Sequence, residues 1–399
     1  MNAREIALEI LHKTIKDESY SNLLMRKKLN ELDKIQRPFA TNLVNGVLRN
    51  YETLNYQLED IKNVSLRNRL ILCMALFERF YLSEKDYAVN NEYVGLAKNQ
   101  YDRNFINAIL RKASQFKQPD KENIKANLPE WIYDLLKAQY GDDIERIISV
   151  FSKVPETYYH LNRKKCSYED LKDLEIRKID DYMFTSSFNL LNTSLYRNGY
   201  FYVQDYNSSC LWQHLSLEKG NSLLDVCSAP GSKLFNCLDV IDPSDAFSND
   251  IHEHRVKLIE KMADKLGYEG IHYSVCDGLE LYKNFDMKFD RIMLDVPCSG
   301  LGVIGRKPDL KFHITSESLD ELQKLQADLL ENNSRLLKVD GIMLYSTCTL
   351  NKKENERQIL AFLKKHDEYV LMEEDTIIND MGDCFYYAAL KKVNDDQYL

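Results

Sequence analysis

Apolar residues recur every three to four positions through the first part of the chain. Ile6, Ile10 and Leu11 form one stripe, and Phe39, Leu43, Val47 and Leu48 form another. Leu70, Met74 and Phe77 repeat the spacing, as do Phe105, Ile109 and Leu110. A period of 3.6 residues predicts amphipathic helices whose stripes meet in a core, and so an all-α N-terminal domain. Pro38 suits a first helical turn, where no backbone donor is required. Arg49, Arg79, Arg111 and Lys112 follow the stripes. The turn signal Gln118-Pro119-Asp120-Lys121 closes this region, giving a domain over 1–125.

The pattern then changes twice. Between 126 and 215 a helix around 131–140 precedes short strand-like segments at 158–162 and 200–204. Short strands between helices predict a small α+β domain. From 216 to 399 the text is α/β. Strands are expected at 222–226, 246–250, 271–276, 291–295 and 342–346, with helices at 252–266 and 317–337. The second helix carries Leu319, Leu322, Leu329, Leu330 and Leu336. Strands alternating with helices predict a mostly parallel, doubly wound, Rossmann-like sheet. A multidomain chain agrees with a length of 399 residues.

Composition narrows the class. No apolar run is long enough to span a bilayer, so no membrane association and a cytoplasmic location are expected. The nine cysteines include no C-x-x-C pair and no zinc-ligand spacing with histidine. They read as reduced thiols, and no metal is expected. The net charge is −9, which alone argues against a nucleic-acid partner. Its distribution reverses that argument. Residues 1–125 hold 21 Lys/Arg against 16 Asp/Glu, while the remainder holds 32 against 46. A basic front on an acidic body is the asymmetry expected of a front end that docks on phosphates, though a solvated surface gives nearly the same balance.

In a doubly wound sheet, ligands bind outside the carboxyl ends of the strands. The first α/β strand runs into Asp225, Val226, Cys227, Ser228, Ala229, Pro230, Gly231, Ser232 and Lys233. This matches neither a dinucleotide fingerprint nor a P-loop. A short Ala-Pro-Gly turn at a helix N-terminus instead brings backbone N–H groups to a compact charged ligand, such as a methionine carboxylate. Asp250 ends the second strand, where an acid is placed for ribose hydroxyls, and Asp277 ends the third, suiting an adenine edge. Any one of these acids serves equally well as a turn cap; three in register favour a nucleoside. The fourth strand ends in Asp295-Val296-Pro297-Cys298-Ser299-Gly300 and the fifth in Tyr345-Ser346-Thr347-Cys348. Two thiols at adjacent strand ends beside a methyl donor suggest covalent catalysis. Thiolate addition to cytosine C6 makes C5 nucleophilic, and an acid such as Asp295 supplies the proton for N3. A base then takes the C5 proton. Lys233 is a candidate for the field that favours the thiolate.

These stretches resemble the signature motifs of the Sun/NOL1/NOP2 RNA cytosine-C5 methyltransferases. The Arg306-Lys307-Pro308-Asp309 stretch, Glu354-Asn355-Glu356, and Asp250 followed by Arg255 also look like family elements. Residues 39–49 and 105–111 are similar to the NusB-like domain fused to one bacterial branch. The resemblance spans essentially the whole chain. It implies a NusB-like RNA-binding domain, a small RNA-facing domain and a class I methyltransferase domain, and S-adenosyl-L-methionine as cofactor. It implies a monomer acting on a cytosine of small-subunit (16S) ribosomal RNA. Cys348 would be the nucleophile and Cys298 would assist product release. Asp250, Asp277 and Asp295 would contact cofactor or reacting centre, and residues 227–233 would line the cofactor. The chain departs from the family in having Ser232 where a second glycine is usual and Leu301 where Thr or Ala is common.

Three other readings compete. An exocyclic-amine methyltransferase needs no thiol and carries a different fourth-strand element. A non-catalytic RNA-binding assembly factor would keep the fold as scaffold. Transfer RNA is the alternative substrate within the family.

Overall fold

The structure is a computed structural model that describes residues 2–17, 19–113 and 115–394. It divides into two compact units: residues 1–152 with 304–314, and residues 153–303 with 315–399. These boundaries differ from those expected at 125 and 215. The helical unit continues through the helices Glu130–Tyr140 and Ile144–Ser152, and the small sheet shares a unit with the large one.

In the helical unit the expected stripes are helices. Ala3–Lys16 starts on a reciprocal cap between Asn2 and Glu5. Gln36–Arg49 carries Pro38 in its first turn. Leu66–Tyr81 is capped by Ser65 and Gln100–Lys112 by Asn99. Ile6, Ile10, Leu11, Leu43, Val47, Leu48, Leu70, Met74, Phe77 and Leu110 are buried, and Phe39, Phe105 and Ile109 pack partly buried against them. Two of the basic residues that follow the stripes are structural. Arg79 is buried and donates to the carbonyl of Leu110 at 2.9 Å, and Arg49 donates to that of Gly305 at 3.0 Å. Residues 304–314 complete this unit. Asp309 accepts the Ser21 N–H at 2.8 Å at the start of the helix Ser21–Lys28, and Phe312 meets Tyr51 edge-on at 5.0 Å. The Lys311 ammonium is buried and donates to the carbonyl of Asn127 at 2.7 Å and more weakly to that of Arg49.

The second unit holds two sheets. The smaller has strands β1 (Tyr158–Leu161), β2 (Arg177–Lys178), β3 (Met183–Thr185) and β4 (Phe201–Val203) in the antiparallel order β2-β3-β1-β4. The Asn162 amide bonds the carbonyls of Gly199 and Leu266, each at 2.8 Å, tying this sheet to the end of the helix Glu253–Leu266. Lys164 and Lys165 donate to the carbonyls of Gly267 and Lys265, favourable company for the negative end of a helix.

The larger sheet contains β5 (Leu223–Asp225), β6 (Ala246–Asp250), β7 (His272–Val275), β8 (Phe289–Asp295), β9 (Leu337–Thr347), β10 (Tyr369–Ile377) and β11 (Phe385–Lys392). Their order is β10-β11-β9-β8-β5-β6-β7. The five expected strands are parallel, and β11 and β10 add an antiparallel edge. Strand order reverses between β5 and β8, which opens a crevice at their carboxyl ends. No helix among the described residues is long and apolar enough to cross a membrane.

Candidate active site

Each expected site residue lies at or just beyond the carboxyl end of a parallel strand. The turn after β5 is held by the Gly231 N–H on the Ser228 carbonyl at 2.6 Å and the Ser228 N–H on the Asn249 carbonyl at 2.8 Å. Gly231 has φ +94°, and a Cβ there would sit 2.9 Å from Ile259, so glycine is required on both conformational and steric grounds. Ser232 is the first residue of the helix Ser232–Cys237 and needs no left-handed backbone, which explains why it is accepted in place of glycine.

Asp225 is buried, and its Oδ1 and Ser228 Oγ form no well-aligned hydrogen bond, although the Ser228 hydroxyl lies close enough to the carboxyl to favour its charged form. Burial, with the charges of Asp295 and Asp250 adding, pushes the Asp225 carboxyl up to about 7. Buried polar atoms without a well-aligned bond are costly and are expected to face a polar ligand. Burial also raises the Cys227 thiol far above its ordinary value, as suits a packed thiol rather than a reactive one.

Arg255 joins two parts of this edge. It pairs with Asp250 at 3.1 Å and donates to the Ala229 carbonyl at 3.0 Å. The other Asp250 oxygen accepts the His252 N–H. Ile251, next to Asp250, is an apolar side chain left 53% exposed. Asp277 is exposed and closes its own turn by accepting the Leu279 N–H at 3.0 Å.

The two strand-end thiols expected at the reacting centre lie between β8 and β9. Lys233 Nζ is 2.6 Å from Asp295 Oδ2, and Ser346 donates to Asp295 Oδ1 at 2.9 Å. Burial works against the Lys233 charge, but Asp295, with Cys348 and Asp225 contributing, outweighs it and raises the ammonium above its usual value. Cys298 Sγ is 3.4 Å from Cys348 Sγ. That contact, then burial, drives the Cys298 thiol well above its ordinary value. Gly302 sits between the strand-end loops. Its N–H donates to the Cys348 carbonyl and its carbonyl accepts the Cys384 N–H, both at 3.0 Å.

Several contributors were missed by the sequence reading. Asn249 bridges the carbonyls of Val226 and Cys276 and so aligns the ends of three strands, but in sequence it is one more strand residue. Ser346 belongs to the strand-end motif, but its bond to Asp295 leaves no mark in the sequence. Glu354 and Asn355, singled out by the resemblance but given no role there, are fully buried, although a charged run reads as surface.

A seven-stranded sheet of this order, with acids and thiols on its carboxyl edge, is the Rossmann-like fold of a methyltransferase. A family described as 16S rRNA methyltransferase RsmB/F matches residues 212–391, and the NusB family matches residues 1–115. The probable ribosomal RNA small subunit methyltransferase B of Bacillus subtilis is 31% identical, covering 92% of this chain and 89% of its own. The ribosomal RNA small subunit methyltransferase B of Photorhabdus laumondii is 28% identical over 98% of this chain and 99% of its own. The crystal structure of PH0851 superposes with a TM-score of 0.79 at 20% identity, covering 98% and 99%. The chain belongs to the RsmB family of rRNA methyltransferases.

Proposed function

We propose that the protein methylates C5 of a cytosine in small-subunit (16S) rRNA, through a covalent bond between Cys348 Sγ and cytosine C6, with S-adenosylmethionine as donor. The observation that carries this reading is the pair of sulfurs 3.4 Å apart at the ends of β8 and β9, beside the Lys233–Asp295 pair. The relatives named above are described as small-subunit rRNA methyltransferases, which supports the choice of RNA.

When bound, S-adenosylmethionine supplies the methyl group. The turn 227–233 and the Asp250–Arg255 pair would hold it, and the Asp225 and Ser228 oxygens, which form no well-aligned bond, fit a polar ligand. Asp277 is assigned to the same ligand, at its adenine edge. Lys233 provides positive charge for the Cys348 thiolate. The Cys348 thiol passes its proton to Asp295 as the thiolate forms, and Asp295, bonded to Lys233, delivers that proton to N3 as sulfur adds to C6. Cys298 donates to the Cys348 thiolate before attack. Once Cys348 is bonded to carbon, the charge opposing Cys298 ionisation is gone; Cys298 releases its proton to solvent and, as a thiolate, accepts the C5 proton. The C6–S bond then breaks, N3 returns its proton, and Cys348 leaves as thiolate. The helical unit contributes phosphate contacts, and the enzyme acts as a cytoplasmic monomer.

The test incubates wild-type, Cys298→Ala and Cys348→Ala proteins with 16S rRNA and S-adenosylmethionine and resolves them on a denaturing gel. A protein–RNA adduct should accumulate in Cys298→Ala and be absent in Cys348→Ala. Methyl transfer surviving in Cys348→Ala overturns the covalent reading and returns the chemistry to direct transfer to nitrogen. Preference for tRNA in the same assay moves the substrate within the family.

A further inference from the structure

The two thiols lie on loops that are 50 residues apart in sequence, so something must hold them together. The Glu354 carboxylate bonds residues in both of these loops. It is fully buried. Its Oε2 accepts the Ser299 N–H at 2.8 Å and the Gln326 amide at 3.0 Å. Its Oε1 accepts the Ser299 hydroxyl at 2.6 Å and the Asn351 amide at 3.1 Å. All four of these donors are neutral. Its backbone carbonyl also accepts the Tyr345 hydroxyl at 2.7 Å.

The donors come from both sides of the reacting centre. Ser299 follows Cys298, and Gln326 also donates to the Pro297 carbonyl at 2.9 Å, which fixes the same loop from the helix Ser316–Ser334. Asn351 lies just beyond Cys348. Ser299 Oγ and Thr349 Oγ1 are 2.7 Å apart, so the loops also touch directly above the carboxylate. Asn355 closes the second loop by donating to the Thr349 carbonyl at 2.9 Å and accepting from Thr347 Oγ1 at 2.6 Å. Hydrogen bonds to an ionised acceptor are stronger and shorter than neutral ones. A buried anion satisfied only by such bonds is stable only while every donor stays in place. The carboxylate therefore acts as a cross-link between the loops.

We infer that Glu354 is a positioning residue: its buried carboxylate fastens the Pro-Cys loop to the Thr-Cys loop and so sets the distance between the Cys298 and Cys348 sulfurs. The functional half of this inference rests on the two-thiol mechanism proposed above; the geometric half does not. Glutamine at 354 keeps the shape but loses the charge, and one of its two positions becomes a donor facing donors.

The experiment treats full-length wild-type and Glu354→Gln proteins with diamide, which takes two hydrogens from a thiol pair as the disulfide forms. The Cys298–Cys348 disulfide is followed by peptide mapping, alongside methyl-transfer kinetics. The rate of this disulfide should fall roughly tenfold in Glu354→Gln, because effective concentration depends steeply on placement. kcat should fall about 100-fold, with KM for S-adenosylmethionine changed less than about threefold. Ser299→Ala, which keeps the backbone donor and the fold, should show both effects at about 3- to 10-fold. It serves where Glu354→Gln does not fold. Wild-type disulfide rates in a folded variant overturn the inference. Slowed disulfide formation with unchanged kcat overturns its functional half. Should Cys348→Ala remain active, the two-thiol mechanism fails, while the disulfide rate still tests the geometry.

Discussion

Cys298 Sγ is 3.4 Å from Cys348 Sγ, and this contact is the leading reason the Cys298 thiol is hard to ionise. Removing Cys348 should therefore bring the Cys298 thiol down toward its ordinary value and raise its thiolate fraction at any given pH. Iodoacetamide labelling at pH 8, read by mass spectrometry, should modify Cys298 faster in Cys348→Ala than in the wild type. Equal rates would show that burial alone controls Cys298.

The Lys233–Asp295 pair leads to a second prediction. Lys233→Met leaves a partly buried carboxylate without its cation and takes positive charge from the thiolate. Turnover should fall roughly 100-fold, and the pH at which activity rises should move upward. A pH–rate profile checks both. A loss of rate with an unmoved profile would restrict Lys233 to holding Asp295.

Gly302 tests how tightly the loops around the thiols are packed. A Cβ there would lie 2.3 Å from the Cys384 carbonyl oxygen and 2.8 Å from that of Cys348. Backbone atoms cannot swing aside as a side chain can. Gly302→Ala should cost about 1–3 kcal/mol in denaturant unfolding and more in activity than that loss of stability explains, since the shift falls on Cys348.

Lys311 predicts a pH dependence confined to the helical unit. Burial lowers its ammonium to about 8, with Glu52 opposing the shift. Between that value and the ordinary lysine value the unfolded chain binds more protons than the folded one, so stability rises with pH across this window. The wild type should gain on Lys311→Met by on the order of 3 kcal/mol between pH 7.5 and 10.5. Parallel melting curves for the two proteins across that range would exclude the shift.

The parallel strands and the strand-end chemistry were legible because each is local. Leu223–Asp225 and Phe289–Asp295 announce themselves by apolar runs that end in an acid, and the thiol motifs follow directly. The antiparallel edge was not legible. β10 is largely exposed and carries Glu373, Glu374 and Asp375, so it lacks the alternation that marks a half-buried strand. β2 is two residues long, too short to leave a pattern. The resemblance marks Glu354 and Asn355, but what they hold together is hidden until the two loops that bury them are brought side by side, which sequence order cannot show. The same limit hid the placement of 304–314, where Arg306-Lys307-Pro308-Asp309 reads as part of the methyltransferase text.

That placement bears on how the protein is made. The helical unit takes its Ser21 cap from Asp309 and packs Phe312 against Tyr51. A ribosome that has finished the first 152 residues has therefore not yet supplied everything this unit needs. The buried core of the helices is drawn from residues 3–110, but the Ser21 cap and the Phe312 contact must wait while more than 150 further residues emerge, including β5 through β8. Synthesis order and folding order thus part company: the N-terminal unit is the first to be translated but is not completed until the loop bearing the Pro-Cys motif has left the ribosome.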